Sequence, residues 1–254
     1  MAEAGDLTTE DAFLGGRLVL RQLRRGHRAG HDAILLAAAT DAAAGERVVE
    51  FGAGVGAAGL ALAARVGAID LALVEIDQDL AALARDNAAR NGIGARVHVL
   101  DVTASSDAFV AADLPPDSVD VVLMNPPFNA AGLHQASPDQ QRRVAHVGDA
   151  DLLDVWVHAA RRVLRPGGRL SLIWRAEALD DALAALRRGF GRVIVWPVHS
   201  RSDRPAIRVL IRATKGARAP LRVQPGLPLM RDDGSQTAVA ELILRNGQAV
   251  PFAE

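Results

Sequence analysis

The 254-residue sequence has no cysteine. This excludes disulfide frameworks, thiolate zinc sites, iron–sulfur clusters and cysteine nucleophiles, and it fits a reducing compartment, so we expect a cytoplasmic protein. The sequence also lacks a long apolar run: the uncharged stretch between Glu50 and Arg65 has 14 residues and includes four glycines, whereas a membrane span needs about 20 apolar residues. The N-terminus opens on Glu3 and Asp6, which is unlike a secretory signal peptide.

Lysine is almost absent, because Lys215 is the one lysine and arginine supplies the other cations. The formal net charge is -1 at pH 7, but the arginines are unevenly spread. One group lies between Asp11 and Asp32, and a second spans residues 201–222 with Asp203 as its one acid. Such groups attract phosphates through counterion release, although a solvated surface produces the same pattern.

Short apolar runs alternate with longer helical stretches along most of the chain. The predicted strands are 48–51, 71–75, 97–100, 119–124 and 170–174, and the predicted helices are 57–66, 77–91, 150–164 and 176–188. Alternation of this kind predicts an α/β fold with a doubly wound, mostly parallel sheet covered by helices on both faces. Two further strands, 192–198 and 207–214, follow without a long helix between them, which indicates an antiparallel hairpin at the C-terminal edge of the sheet.

The chain is expected to form one compact domain, since it has no repeat and no low-complexity linker. Residues 1–46 are interpreted as an N-terminal capping segment with a helix packed on the main domain, which spans 47–254. The helix is predicted over Asp32–Ala44, with Asp32 as its N-cap.

A glycine-rich turn follows the strand that ends at Phe51. It contains Gly52, Gly54 and Gly56 and leads directly into a helix, which is where an open α/β sheet binds nucleotides. Glycines let the backbone turn tightly and approach a ligand. The next strand ends in Glu75, a carboxylate placed to accept both hydroxyls of a ribose. S-adenosylmethionine and dinucleotide cofactors both satisfy this pattern.

Two further acids favour S-adenosylmethionine. Glu50 precedes the glycines, where it can meet the ammonium of an amino-acid moiety. Asp101 ends the third strand and can accept the adenine amino group, while Val102 covers the ring. The ordered set of acids therefore predicts an S-adenosylmethionine site.

The fourth strand runs into Asn125, Pro126, Pro127 and Phe128. Two prolines make this turn rigid. The Asn125 side-chain oxygen and the Pro126 carbonyl can accept both hydrogens of a planar amine, and Phe128 can stack on the attached base. The turn therefore predicts methylation of a weakly basic nitrogen such as the exocyclic amine of adenine.

Together these motifs resemble class I S-adenosylmethionine-dependent methyltransferases of the N6-adenine type. The stretches 26–28 and 32–37 are similar to the segment before the glycine motif in bacterial tRNA-valine N6-adenine methyltransferases, and 143–146, 164–168 and 208–216 extend the resemblance. It covers most of the chain from about Gly15 onward. Phe128 departs from that family's pattern, in which tyrosine is common.

The resemblance implies a structured RNA substrate, namely a valine tRNA methylated at the adenine next to its anticodon. It also brings Asp32, within the matching stretch, among the cofactor-binding residues. The basic residues expected to contact RNA are Arg24, Arg25, Arg28, Arg142, Arg143 and Lys215.

Other functions stay open at this point. Enzymes that methylate guanine N2 in ribosomal RNA or a glutamine of release factors carry similar turns, but usually have an additional domain that 49 residues before Glu50 do not accommodate. A nicotinamide oxidoreductase and an RNA-binding scaffold without turnover are further alternatives. No metal is expected, since His27 and His31 flank Gly30 without a third ligand nearby.

Overall fold

The computed structural model describes the backbone of residues 7–25, 28–127 and 138–251 and the side chains of all of these except 138–150. The strands are β1 (Thr8–Phe13), β2 (Leu18–Leu23), β3 (Arg47–Phe51), β4 (Asp70–Glu75), β5 (Ala95–Val99), β6 (Val119–Met124), β7 (Leu164–Arg175), β8 (Phe190–Arg201), β9 (Ala206–Lys215), β10 (Arg222–Val223) and β11 (Leu227–Met230). The α-helices are α1 (His31–Ala39), α2 (Ala57–Val66), α3 (Gln78–Arg90), α4 (Ser106–Ala111), α5 (Pro138–Val163), α6 (Leu179–Leu186) and α7 (Ala238–Leu244). Short 3₁₀ turns occupy Leu14–Gly16 and Ala176–Ala178.

The central sheet has the strand order β10-β8-β9-β7-β6-β3-β4-β5, and β11 also pairs with β8. Strands β3 to β7 are mutually parallel, and β9 is antiparallel to both β7 and β8. The predicted α/β architecture is thus confirmed. The chain winds from β3 towards β5 and then crosses back to β6 on the other side of β3. This reversal opens a crevice at the carboxyl ends of β3 and β6.

Local sequence explains why the helices next to this crevice start and stop where they do. The carboxylate of Asp77 caps α3 by accepting hydrogen bonds from the backbone N–H groups of Asp79 and Leu80, at 2.8 and 3.0 Å. The helix ends at Arg90, with Asn91 as its C-cap, and Gly92 follows with φ +64°, a conformation that favours glycine. Helix α2 spans the predicted residues.

The N-terminal segment differs from the prediction. Strands β1 and β2 form an antiparallel hairpin, in which Thr8 pairs with Leu23 and Phe13 with Leu18. The prediction that Asp32 caps α1 is wrong, because Gly30 occupies the N-cap position and the Asp32 carboxylate accepts a hydrogen bond from Arg208 Nε at 2.9 Å.

Helix α1 also ends earlier than predicted. It stops at Ala39 instead of continuing to Ala44. The next residue, Thr40, has extended backbone dihedrals, and its hydroxyl donates to the Leu36 carbonyl at 2.7 Å. This hydrogen bond occupies a carbonyl of the last helical turn and accompanies the change in chain direction.

The C-terminal hairpin of β8 and β9 is confirmed, but β8 is not the last strand of the sheet. Strand β10 pairs Arg222 with Ile194, and β11 pairs Leu227 with Val198, both parallel to β8. These strands have two and four residues, too short to show a clear alternation of apolar and polar side chains.

The core consists of two apolar layers, one on each face of the sheet. Helices α1, α2, α3 and α7 pack on one face and α4, α5 and α6 on the other. Among the residues described, no helix is both long enough and apolar enough to cross a membrane.

Candidate functional site

The glycine turn and the Asn-Pro-Pro turn meet at the crevice of the sheet. Strands β3 and β6 are neighbours with Phe51 paired to Met124, so Gly52 and Asn125 leave adjacent strands at the same level. Parallel strands present their carboxyl ends at one edge, and ligands of open α/β sheets bind there. The two motifs, about 70 residues apart in sequence, therefore form a single site.

The glycine turn needs glycine for two separate reasons. Gly52, Gly54 and Gly56 have φ angles of +65°, +55° and +87°, which side chains disfavour. At Gly52 a Cβ atom would also lie 2.5 Å from Cη2 of Trp156. At Gly54 a Cβ atom would meet no atom within 4 Å, because this part of the turn faces the cleft. The backbone of Gly54 is therefore accessible to a ligand.

Glu75 holds the turn in place. Its side chain is buried, with one oxygen accepting from Gly54 N–H at 2.7 Å and the other from Asp77 N–H at 2.9 Å. A carboxylate has about four acceptor positions, so these bonds leave capacity for the ribose hydroxyls expected from the sequence. Glu75 also lines the cleft.

Two adjoining cavities lie along the turn. The larger, about 580 Å³, is lined among others by Glu75, Ile76, Asp101, Val102, Pro126 and Trp156. The smaller, about 340 Å³, is lined among others by Arg28, His31, Asp32, Glu50, Val55 and Arg208. Gly52, Gly54, Leu80 and Asn125 line both. The cavities thus form one elongated cleft with Asn125 where they meet.

The cleft fits S-adenosylmethionine. The larger cavity combines the Glu75 carboxylate with the apolar side chains of Ile76 and Val102, which suits a ribose and an adenine ring. Asp101 lies at its wall, where Oδ1 accepts from Thr103 N–H at 2.7 Å. The smaller cavity contains the carboxylates of Glu50 and Asp32, which suit the ammonium of the amino-acid part. The acids selected from the sequence therefore lie along one cleft.

Glu50 is a buried acid with a strongly shifted pKa. Its side chain is 5% exposed, and Oε2 accepts from Gly59 N–H at 2.7 Å. Burial raises the pKa of Glu50 to about 8, opposed by backbone hydrogen bonds from Gly59 and Ala58 and increased by the charge of Glu75. A cationic ligand beside Glu50 would offset this burial.

Asn125 carries a buried hydrogen-bond acceptor where the two cavities meet. Its Oδ1 is inaccessible to solvent and receives no hydrogen bond from the part of the chain that the structure describes. Leaving such a group unpaired costs about 1 to 3 kcal/mol, and buried acceptors of this kind are usually satisfied by a partner. Pro126 is buried and Pro127 exposed. The fourth predicted residue of the turn, Phe128, lies outside the described residues.

The residues predicted to contact RNA do not all lie at the edge of the sheet that contains the cleft. Arg24 and Arg25 are exposed just after β2, and Arg28 lines the smaller cavity. Arg28 Nη2 lies 2.5 Å from Asp11 Oδ2 and Nη1 donates to the Leu23 carbonyl. Arg142 and Arg143 lie in α5, where their side chains are outside the described part.

Lys215, the last of the residues expected to contact RNA, lies at the edge of the sheet opposite the cleft. It ends β9, and its Nζ is 2.6 Å from both Asp117 Oδ1 and the Leu164 carbonyl, near the start of β6 and β7. Because β9 runs antiparallel to β7, it starts at the cleft and ends away from it. The basic group at residues 201–222 is therefore divided: Arg208 lies at the cleft, and Lys215 lies at the opposite edge of the sheet.

Sequence reasoning missed several residues of the cleft. Trp156 lies inside a correctly predicted helix, but no local pattern shows that its ring covers Gly52. Gly59 was also missed. A Cβ atom there would lie 2.7 Å from Glu50 Oε2, a close approach that no local pattern shows. Arg208 was noted for its charge and turns out to bridge β9 to α1. Only its position in the folded chain places it at the smaller cavity.

Replacing Glu50 by glutamine is expected to remove a pH-dependent loss of stability. The pKa of Glu50 in the folded state, about 8, lies above its ordinary value of 4.5, so the folded state binds more protons than the unfolded state between these values. The free energy of unfolding therefore falls as pH rises through this window. Glutamine does not titrate and keeps an acceptor for Gly59.

Urea unfolding of the ligand-free protein near pH 5 and near pH 8 measures this effect. Glu50→Gln should gain stability relative to the parent as pH rises, on the order of a few kcal/mol. Glu177→Gln, which changes an exposed acid, is the matched control and should follow the parent. Equal pH dependence in Glu50→Gln and the parent would contradict the assignment.

Comparison with known proteins agrees with this geometry. A tRNA1(Val) (adenine(37)-N6)-methyltransferase from Porphyromonas gingivalis is 32% identical over 177 residues, which cover 67% of this chain and 68% of that protein. A predicted O-methyltransferase from Agrobacterium tumefaciens has a solved structure with a TM-score of 0.72 and 31% identity, covering 88% of this chain and 99% of that one.

A third similar protein shows the fold alone. The 16S rRNA N2 G1207 methyltransferase of Thermus thermophilus, solved in complex with AdoMet and guanosine, has a TM-score of 0.54 and 21% identity, covering 82% of this chain and 50% of that one.

The family model of the methyltransferase small domain matches residues 30–199. The chain therefore belongs to the methyltransferase small domain family and is an S-adenosylmethionine-dependent methyltransferase.

Proposed function

We propose that the protein transfers a methyl group to the exocyclic N6 of an adenine in structured RNA, with tRNA as its substrate. The observation that carries this proposal is Asn125, which lies where the two cavities meet and whose buried Oδ1 receives no hydrogen bond from the described residues. An amine hydrogen of the acceptor base would supply this donor once the Asn125 side chain turns Oδ1 into the cleft. The Porphyromonas relative is named for methylation of the same kind, at N6 of an adenine in a tRNA.

The proposed chemistry depends on orienting a weak nucleophile. The lone pair of an adenine amine is delocalised into the ring, so the nitrogen must be held with that lone pair facing the methyl group. Asn125 Oδ1 and the Pro126 carbonyl accept the two amine hydrogens and fix this orientation. S-adenosylmethionine, when bound, supplies an electrophilic methyl on its sulfonium. The nitrogen becomes more acidic as the N–C bond forms and releases one proton to water, so no strong base is needed.

Other acceptors present related chemistry. A glutamine amide and the N2 amine of guanine also offer a delocalised nitrogen with two hydrogens. An O-methyltransferase, as the Agrobacterium protein is predicted to be, would methylate a hydroxyl instead. Methylation of a hydroxyl needs a base for its proton. Mass spectrometry of nucleosides from tRNA methylated with labelled S-adenosylmethionine separates these outcomes. We expect label in N6-methyladenosine, and label solely in another nucleoside or in protein would overturn the proposal.

Replacing Asn125 by alanine should separate chemistry from cofactor binding. We expect methyl transfer at saturating substrates to fall about 100-fold or more, the cost typical of losing one hydrogen bond formed in the transition state. The affinity for S-adenosylmethionine, measured by calorimetry, should stay close to that of the parent. Asn246→Ala, which removes an exposed amide that lines neither cavity of the cleft, serves as the control. Full transfer by Asn125→Ala would exclude the proposed role.

The RNA backbone is proposed to pass the arginines beside the smaller cavity. Arg24 and Arg25 are exposed at the end of β2, and Arg28 reaches the cavity itself. A base in a stem-loop must leave its stack to reach Asn125. Phosphate contacts next to the entrance would hold the backbone while the base is extruded.

Charge reversal at Arg24 and Arg25 tests this path. The double glutamate variant should raise the Michaelis constant for RNA and reduce its dependence on salt, because fewer counterions are released on binding. Its affinity for S-adenosylmethionine should not change. The control reverses Arg187 and Arg188, an exposed adjacent pair just before the start of β8 at the opposite edge of the sheet. Equal salt dependence in both double variants and the parent would show that Arg24 and Arg25 do not bind RNA.

A further inference from the structure

Asn87 is a fully buried amide in α3 whose hydrogen-bonding groups are all used. Its Oδ1 accepts from Arg21 N–H at 2.7 Å. Its Nδ2 donates to the Arg21 carbonyl at 3.1 Å and to the Val55 carbonyl at 3.0 Å. An asparagine amide has two hydrogens to donate, and here each has a separate acceptor. One side chain thus joins strand β2 to the glycine turn.

Asn91 repeats half of this arrangement one helical turn later. Its Oδ1 accepts from Val19 N–H at 3.0 Å, and its Nδ2 donates to the Val19 carbonyl at 2.8 Å. Four residues of helix rise about 6 Å and two residues of strand rise about 6.7 Å, so amides at these positions match alternate residues of β2. The pair occupies the backbone groups of β2 as a neighbouring strand would.

The two amides differ in what else they hold. Asn91 Nδ2 also donates to the Asn87 carbonyl within α3, at 2.8 Å. Asn87 instead reaches Val55, which lies between Gly54 and Gly56 in the glycine turn. A turn with this many glycines has a wide choice of backbone conformations, and Glu75 restrains it through the N–H of Gly54. Asn87 adds a second restraint one residue later, at the carbonyl of Val55.

We propose that Asn87 is a positioning residue for the cofactor turn. Its amide fixes the Val55 carbonyl and thereby keeps the backbone from Gly54 to Gly56 in the conformation that lines the cleft, while β2 fixes the amide in turn. The hairpin of β1 and β2 is therefore part of the support of the cofactor site. This role concerns S-adenosylmethionine binding and holds whichever acceptor is methylated.

A positioning role predicts a particular kinetic pattern. Loss of the restraint lets the ligand-free turn sample other conformations, and binding must then reorder it. The Michaelis constant for S-adenosylmethionine should rise, while transfer at saturating cofactor changes little. A residue that only stabilised the fold would lower the melting temperature without this selective effect.

Asn87→Ala and Asn91→Ala form a matched pair, because both remove an amide that holds β2 and Asn87 alone of the two holds Val55. Calorimetric titration with S-adenosylmethionine, without RNA, is done well below both melting temperatures. We expect both variants to melt earlier than the parent. Asn87→Ala should bind the cofactor about tenfold more weakly, as expected for one buried hydrogen bond, and Asn91→Ala should bind like the parent.

Two results would overturn the proposal. Parent-like affinity in Asn87→Ala would show that the turn is held without the amide, and equal weakening in both variants would assign the effect to β2 instead of Val55. Should Asn87→Ala not fold, Asn87→Ser is compared with Asn91→Ser in the same titration. The titration contains no RNA and measures the affinity for the cofactor alone. Its result therefore tests the role of Asn87 even if the proposal of adenine methylation fails.

Discussion

The hydrogen bond from the Gly54 N–H to the buried Glu75 carboxylate is the contact on which the site depends. It joins the carboxyl ends of β3 and β4 and sets the path of a turn whose glycines would otherwise leave it free. The ring of Trp156 lies against Gly52 at the near end, and the amide of Asn87 holds Val55 at the far end. With the turn held in this way, its backbone lines both cavities and faces Asn125.

Charge is arranged differently inside and outside the cleft. Acids lie along its length, from Asp101 beside the larger cavity to Glu50 in the smaller one. S-adenosylmethionine carries a sulfonium and an ammonium, so these acids suit it. Burial raises the pKa of Glu50 because its negative charge is unfavourable in the cleft without such a cation. Arg24 and Arg25 are exposed after β2, and Arg28 lies at the wall of the smaller cavity. With RNA as the proposed substrate, Arg24 and Arg25 would attract its phosphates, while the acids attract the cationic cofactor.

The sequence predicted the positions of those site residues that lie next to a recognisable strand. The glycines, Glu75 and Asn125 could be placed because each lies at the carboxyl end of a short, mostly apolar strand, and parallel strands bring their carboxyl ends to one edge. Features that arise from tertiary contacts could not be placed. Asp32 satisfies the local pattern of an N-cap, yet its partner is Arg208, 176 residues away. Lys215 belongs to a basic group in sequence but lies at the far edge because β9 runs antiparallel. Asn87 and Trp156 lie in predicted helices whose neighbours only the fold determines.

The exocyclic amine of the acceptor base is the group on which the proposed chemistry depends. Two RNA substrates that differ at a single position test it directly: one contains the reactive adenine, and the other contains purine, which lacks the amine, in its place. Transfer of labelled methyl is measured for both under single-turnover conditions. If Asn125 receives the amine as proposed, the adenine RNA is labelled and the purine RNA is not. Equal labelling of the two would contradict methylation at N6.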